Sequence, residues 1–473
     1  MSFPRYPEYK NSGTECLGDL PTHWDVLPLK FLSSLKGRLG WQGLRADEYT
    51  DEGPFLVTSE HFENDKVAWD RCYHVSEERF ALAPEIQLRP HDLLIMKDGA
   101  AMGKLAYIDD LPGPACLNSH LLLFRPVHGR HTNRFLYYQL CGPAFETYML
   151  RERRGSTFFG ISQESIGNFP FAVPPLSEQL AITRFLDQEI AKIESLIAEQ
   201  KRLIALSREK RQAVISRAVT KGLNAGVLMK ESGIDWLGKV PAHWAIKKLK
   251  HLSPQLTVGI VIEPSKLYAD DGVPALRSLN IKQGVIEPAE MVCISQQGHK
   301  QHSKSRLNAG DLVVVRSGRP GTTAVIPGEL DGCNCIDLII IRRPTVGSEW
   351  FLCWYLASEA ASHQFSLGSG GAIQQHFNVS AASELIVTVP PPDEQLGIVA
   401  HVGRETRQLD TLVATAEHAI ELLQERRTAL ISAAVTGQID VRSTASDDFG
   451  RDILDPERPS RPVRKRSAPE KST

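Results

Sequence analysis

Two sets of arginine, lysine and glutamine residues offer the most legible chemistry in this sequence. In the first half they are Lys97, Lys104, Arg151, Arg153 and Arg154, with Thr157 closing the run Arg151-Glu152-Arg153-Arg154-Gly155-Ser156-Thr157. In the second half, Gln296 to Arg306 contains Lys300 and Lys304 and no acidic residue. Arg316 and Arg319 flank a glycine, and Gln374 and Gln375 lie in the polar stretch from Gly370 to His376. Arginine and lysine reach phosphates and guanine edges, while glutamine reaches adenine, so these residue types point to nucleic-acid contact. Taken singly, each side chain reads equally well as a solvated surface charge; the clusters together favour DNA. The net charge of −2 lacks the bulk basicity that often marks such proteins. Contact must therefore be local, or shared with a partner.

Catalytic chemistry is harder to find. The segment Gly99-Ala100-Ala101-Met102-Gly103-Lys104-Leu105 has one residue too few between its glycines for a phosphate loop. Leu105 stands where that loop needs Ser or Thr to hold magnesium. The related Gly318-Arg319-Pro320-Gly321-Thr322 has no lysine. Adenine methyltransferases carry Asn/Asp-Pro-Pro-aromatic, but here the Pro-Pro pairs follow Val173 and Val389 and precede Leu176 and Pro392. No glycine-rich cofactor fingerprint follows a strand. His23 and His243, beside Trp24 and Trp244, read as packing residues. The eight cysteines are scattered, with only Cys333 and Cys335 close, which indicates neither a zinc site nor a disulfide framework. A reduced, cytoplasmic setting is expected. No apolar run is long enough for a membrane span and no signal-peptide pattern opens the chain.

The elements that must position these residues are built around a stretch that occurs twice. Val173 to Leu180 reads Val-Pro-Pro-Leu-Ser-Glu-Gln-Leu, and Val389 to Leu396 reads Val-Pro-Pro-Pro-Asp-Glu-Gln-Leu. Ser177 and Asp393 are expected as helix N-caps, with Glu178 and Glu394 favoured in the first turn by the helix dipole. The offset of 216 holds from 177 and 393 to 220 and 436. Each helix is expected to run about 40 residues, roughly 60 Å. Leu186, Ile190, Ile193, Ile197 and Ile204 recur at coiled-coil spacing, as do Leu409, Val413, Ala416, Ile420, Leu423 and Leu430. An antiparallel pair is the expected arrangement.

The entry segments repeat too. Lys10 to Trp24 and Lys230 to Trp244 share Gly-x-x-Pro-x-His-Trp, so the chain is two copies of one unit: entry segment, globular domain, long helix. His91 to Gly99 resembles Gly310 to Gly318, each a turn, a buried strand and a glycine loop. Leu121 to Pro126 and Ile339 to Pro344 read as matching strands. Pro143 to Leu150 and Trp350 to Ala361 read as short helices. Phe169 to Val173 and Leu385 to Val389 read as last strands. The expected fold is α/β, with two tandem α/β domains separated by two long helices that form an antiparallel coiled coil. The divisions are 1–17 (N-terminal segment), 18–173 (first domain), 174–220 (first long helix), 221–237 (linker), 238–389 (second domain), 390–437 (second long helix) and 438–473 (disordered tail).

With both motifs doubled and in order, the chain resembles the specificity subunit of a type I restriction–modification system up to about Asp440. The motifs that carry the likeness are Gly18 to Trp24 with Gly238 to Trp244, and Pro174 to Leu180 with Pro390 to Leu396. The resemblance implies two target-recognition domains, each reading one half of a split site in double-stranded DNA. It implies helices that space the domains and dock two methyltransferase subunits, with restriction/translocase subunits joining them. It further implies no catalysis in this chain, with S-adenosylmethionine, ATP and Mg2+ acting in the partner subunits. The alternative is the recognition half of a self-contained restriction–methylation enzyme.

Overall fold

A computed structural model describes residues 3–37, 46–153, 159–368 and 377–442. The chain divides into two units, Met1–Ile197 with Glu421–Thr473, and Ala198–Ile420. Each holds one globular domain and a part of both long helices. The first long helix runs Leu176–Lys221 and the second Pro392–Val435.

Both helices start one residue before Ser177 and Asp393, which therefore lie inside the first turn and are not the caps. The amides of Glu178 and Gln179 reach the Pro175 carbonyl at 2.9 and 3.0 Å, and that of Gln395 reaches Pro391 at 3.0 Å. A proline at the first helical position loses no hydrogen bond and has a suitable φ, so the proline run leads directly into each helix.

In the first unit, a four-stranded antiparallel sheet has the order Leu105–Tyr107, Leu93–Met96, Leu121–Pro126, Ser33–Lys36. A three-stranded sheet pairs Tyr49–Val57 with Ala115–Leu117 in parallel and with Tyr73–Val75 antiparallel. The strand after the entry segment, Asp25–Pro28, pairs with the strand before the helix, Pro170–Val173. The second unit repeats the plan. Its four-stranded sheet runs Thr323–Val325, Leu312–Val315, Leu338–Ile341, Leu256–Val258, and Ala245–Lys248 pairs with Ile386–Val389.

The central strands explain the uninterrupted apolar runs. Leu93 and Ile95 face the core shared with the long helices, while Leu94 and Met96 face a second core under the three-stranded sheet. Leu312 and Val314 divide from Val313 and Val315 in the same way. A strand buried on both faces has no polar positions to alternate with.

Trp350 to Ala361, expected as one helix, is parts of two: Glu349–Leu356 and Glu359–Gly368. Buried Ser358 separates them, its hydroxyl accepting from the Ala361 amide at 3.3 Å. Their counterparts are Asn133–Leu140 and Pro143–Glu152.

The long helices pack antiparallel within each unit. In the first, Leu186, Ile190 and Ile193 are buried with Leu430, and Ile197 and Leu423 are half-buried against them. Arg427 lies 3.9 Å from Glu194 across the pair. In the second, Ile204, Leu409 and Ala416 are buried and Val413 and Ile420 half-buried. Arg208–Glu417 and Arg211–Asp410 ion pairs, each 3.1 Å, tie the helices there. The seam residues are thus covered by this chain's own helices.

Beyond the second helix the chain stays packed. The Asp440 amide donates to the Pro4 carbonyl at 2.8 Å, and Val441 is fully buried in the first core. The stretch from 438 to 442, read above as the start of a tail, is thus held by an apolar anchor. Residues 443–473 lie outside the described residues.

Candidate nucleic-acid interface

The doubled motifs meet one another. Buried Glu178 accepts from the Tyr6 hydroxyl at 3.0 Å and the Trp24 indole at 3.0 Å, and lies 2.7 Å from His23 Nε2. Glu394 binds His243 and Trp244 at 2.6 and 2.8 Å in the same way. The next residue completes each clamp. The Gln179 carbonyl oxygen accepts from the Thr132 amide at 3.0 Å while its amide donates to the Arg130 and Pro174 carbonyls, both at 2.9 Å. Gln395 accepts from the Ser348 amide at 2.7 Å and donates to Pro390 at 2.9 Å. Burial, with the Glu178 carboxylate beside it, pushes the Tyr6 hydroxyl far above the ordinary phenol range. His23 and His243 are therefore hydrogen-bonding partners of the glutamates and not only packing residues. The clamp fastens each domain to the start of its own helix.

In the first domain the structure gathers four of the basic candidates in one region. The turn from Lys97 to Lys104 closes a hairpin, with Gly103 and Met96 joined at 2.8 Å and Met96 and Lys104 at 2.9 Å. Gly99 and Gly103 take φ of 81° and 91°, which glycine adopts without strain. A strand, not a helix, follows the loop, so no helix N-terminus faces it. The loop is stitched to the segment beyond Arg153: Gly99 N donates to Phe159 O at 2.9 Å, and Ile161 N to Lys97 O at 2.8 Å. A side chain on Gly103 would meet Met149 of the Pro143–Glu152 helix at 3.2 Å. Lys97, Lys104, Arg151 and Arg153 therefore share the neighbourhood of this loop. Exposed Arg151 and Arg153 stand over the rings of Tyr148 and Phe159, at 5.4 and 4.7 Å. Arg154 and Thr157 lie outside the described residues.

The second domain repeats this corner but splits its candidates. Gly321 and Val315 close the turn at 3.0 Å, and Arg316 O accepts from Phe377 N at 3.1 Å. A side chain on Gly321 would run into Phe365 at 2.5 Å. Arg316 and the exposed Arg319 lie here; Gln374 and Gln375 lie outside the described residues. Lys300 and Lys304 do not join them. They sit near the other end of the central strand, where Arg342 donates to the carbonyls of Lys304 and Arg306 at 3.1 and 2.7 Å. Both lysines are exposed. The matching helix of the first domain, Glu77–Ala81, begins with two glutamates, so this basic patch belongs to one copy alone.

Three polar residues at the shared corner escaped the sequence reading. His120 Nδ1 lies 2.6 Å from the Asp98 carboxylate. In the second domain Arg316 pairs with Asp337 at 3.4 Å. Twenty or more residues separate the partners in sequence, and only the strand register brings them together.

The description "Type I restriction modification DNA specificity domain" matches residues 45–204. The chain is 21% identical over 436 residues to the MjaVIII type I restriction enzyme specificity subunit of Methanocaldococcus jannaschii, covering 90% of this chain and 95% of that one. It is 22% identical over 450 residues to the EcoKI specificity subunit of Escherichia coli strain K12, covering 91% and 92%. The chain thus carries a type I specificity domain over residues 45–204 and is similar to type I specificity subunits along nearly its whole length. Its fold is similar to that of a solved chain from work on complex assembly and conformational transition of the type I R-M system, at a TM-score of 0.65 and 17% identity over 88% of this chain and 98% of that one. Among the described residues, no helix is long and apolar enough to cross a membrane, and no group of three or more His, Cys, Asp or Glu could hold a metal ion.

Proposed function

We propose that this chain is the non-catalytic, sequence-reading subunit of a type I restriction–modification complex. Each domain reads one half of a bipartite site in double-stranded DNA, and the long helices set the spacing and dock methyltransferase subunits. Restriction/translocase subunits join that assembly, and S-adenosylmethionine, ATP and Mg2+ act in the partners. The observation that carries this reading is duplication with divergence. The clamp, sheet plan and helix phase repeat between the units, while the polar groups at the loop corner do not. That is the device needed to read two unlike sequences with one scaffold, and two-copy readers commonly couple protein geometry to half-site spacing.

The seam leucines and isoleucines hold the helices to each other, so the docking face belongs to residues the seam leaves outside. Leu196, Leu206, Leu412 and Leu422 are 40–52% exposed on the long helices, and we assign them to the methyltransferase contact. Methylome sequencing of the source cell with and without this chain tests the function. The expected result is that modification of one bipartite motif vanishes with the chain; an unchanged methylome contradicts the reading.

A further inference from the structure

The two copies offer an internal comparison at opposite ends of the same strand pair. At one end, buried Asp92 accepts from Arg125 at 2.5 Å and from the Arg89 amide at 2.8 Å. Its counterpart, Asp311, accepts from Arg342 at 2.6 Å and from the Asn308 amide at 2.9 Å. Both aspartate side chains are 3% exposed. Residue types, partners and distances repeat because this pair holds the strands, and its task is the same in both domains.

At the other end the frame repeats but the chemistry does not. Met96 pairs with Leu121 and Val315 with Leu338, so the residues just beyond, Lys97 with His120 and Arg316 with Asp337, occupy equivalent places. In the first domain His120 and Asp98 hold each other, with side chains 49% and 20% exposed. In the second, Arg316 and Asp337 do so, at 18% and 42%. The Arg316 Nε is buried and has no hydrogen-bond partner among the described residues. A pair needed only for folding would be under the same constraint in both copies, as Asp92–Arg125 and Asp311–Arg342 are. Part-exposed polar groups, rigidly framed and different in kind, fit a role that must differ between the domains.

We infer that this corner reads one base pair in each half-site, through Asp98 and His120 in the first domain and through Arg316 and Asp337 in the second. The inference rests on the DNA-reading function proposed above. The Arg316 guanidinium can donate to O6 and N7 of guanine, and the Asp337 carboxylate can accept from N4 of its cytosine, so this corner suits a G·C pair. The Asp98 carboxylate suits an exocyclic amine of cytosine or adenine, with His120 holding it in place.

The test is methylome sequencing of cells that carry the full chain and its partner subunits, with Asp98→Asn, Arg316→Lys and Asp337→Asn made singly. Asp98→Asn should relax one position of the half-site read by the first domain, lowering preference there by about tenfold. Arg316→Lys and Asp337→Asn should relax one position of the other half, and the spacer should be untouched. Asp311→Asn is the contrast: it breaks a structural pair and should lower modification evenly at all positions. Corner variants that keep the wild-type motif at every position, or that lose modification evenly as Asp311→Asn does, would overturn the inference. Either result leaves the wild-type dependence of the motif on this chain intact. Loss of that dependence is a separate failure, of the function itself.

Discussion

His131 carries a prediction that depends on its burial alone. The side chain is 3% exposed, its Nε2 lies 2.8 Å from the Ser33 hydroxyl, and its ring meets Phe171 edge-on at 5.5 Å. Burial, with no opposing charge, lowers its pKa to about 4. The unfolded chain binds this proton near the ordinary value of about 6.5 and the folded chain does not. Above pH 6.5 neither state is protonated and His131 imposes no pH-dependent cost. As pH falls from 6.5 towards 4 the unfolded state gains the proton first, so stability falls by up to about 3 kcal/mol and then levels off. Denaturant unfolding across this range should show that extra loss in wild type and not in His131→Gln; equal pH dependence would contradict it. Other residues show why single positions are hard to read from sequence. Glu178 and Gln179 stood out because the pair recurs at Glu394 and Gln395, yet their partners, Tyr6 and Thr132, lie far away along the chain. Asp98 and His120 carried no such mark. Lys300 and Lys304 were candidates alongside Arg316 by residue type, and the strand Leu312–Val315 between them places the lysines and Arg316 at its opposite ends.

The long helices were the most legible elements, because an apolar step of three and four residues persists through them and the phase is shared by both copies. The short strands were legible where the chain runs continuously apolar, most plainly where both faces are buried, as at Leu93–Met96 and Leu312–Val315. Asn133–Leu140 was missed: seven of its eight residues, Asn133 and Gln139 among them, are buried, so no polar face marks a helical period. The helix starts were displaced by one residue, since prolines can open a helix as well as bar one. A different test belongs to the outer helix faces. Leu206→Asp with Leu412→Asp changes residues 52% and 40% exposed, and such surface substitutions away from the seam usually alter stability by only about 0.5 kcal/mol. The double variant should keep the wild-type circular dichroism and melting temperature and fail to copurify with methyltransferase. A complex that forms as well as wild type would remove these leucines from the docking face.

At the scale of the whole molecule, the account is that one folded unit was used twice, with the scaffold kept and the reading groups changed. Each domain has its own cores and its own clamp, Glu178 with Trp24 and Glu394 with Trp244. Independent cores allow one domain to be replaced without disturbing the other, and the duplicated architecture was visible in the sequence because the clamp residues and helix phase recur at fixed offsets. The bases read were not visible, because side-chain contacts with DNA follow no code that transfers between loops. The most direct measurement is therefore a domain exchange. Residues 24–171 are replaced by the equivalent segment of a specificity subunit with a known, different first half-site, and the methylome of cells carrying the hybrid is sequenced. The account predicts a modified motif in which the half read by the first domain becomes the donor's, while the other half and the spacer stay as in wild type. A hybrid that modifies DNA with both halves changed, or with neither changed, would contradict it.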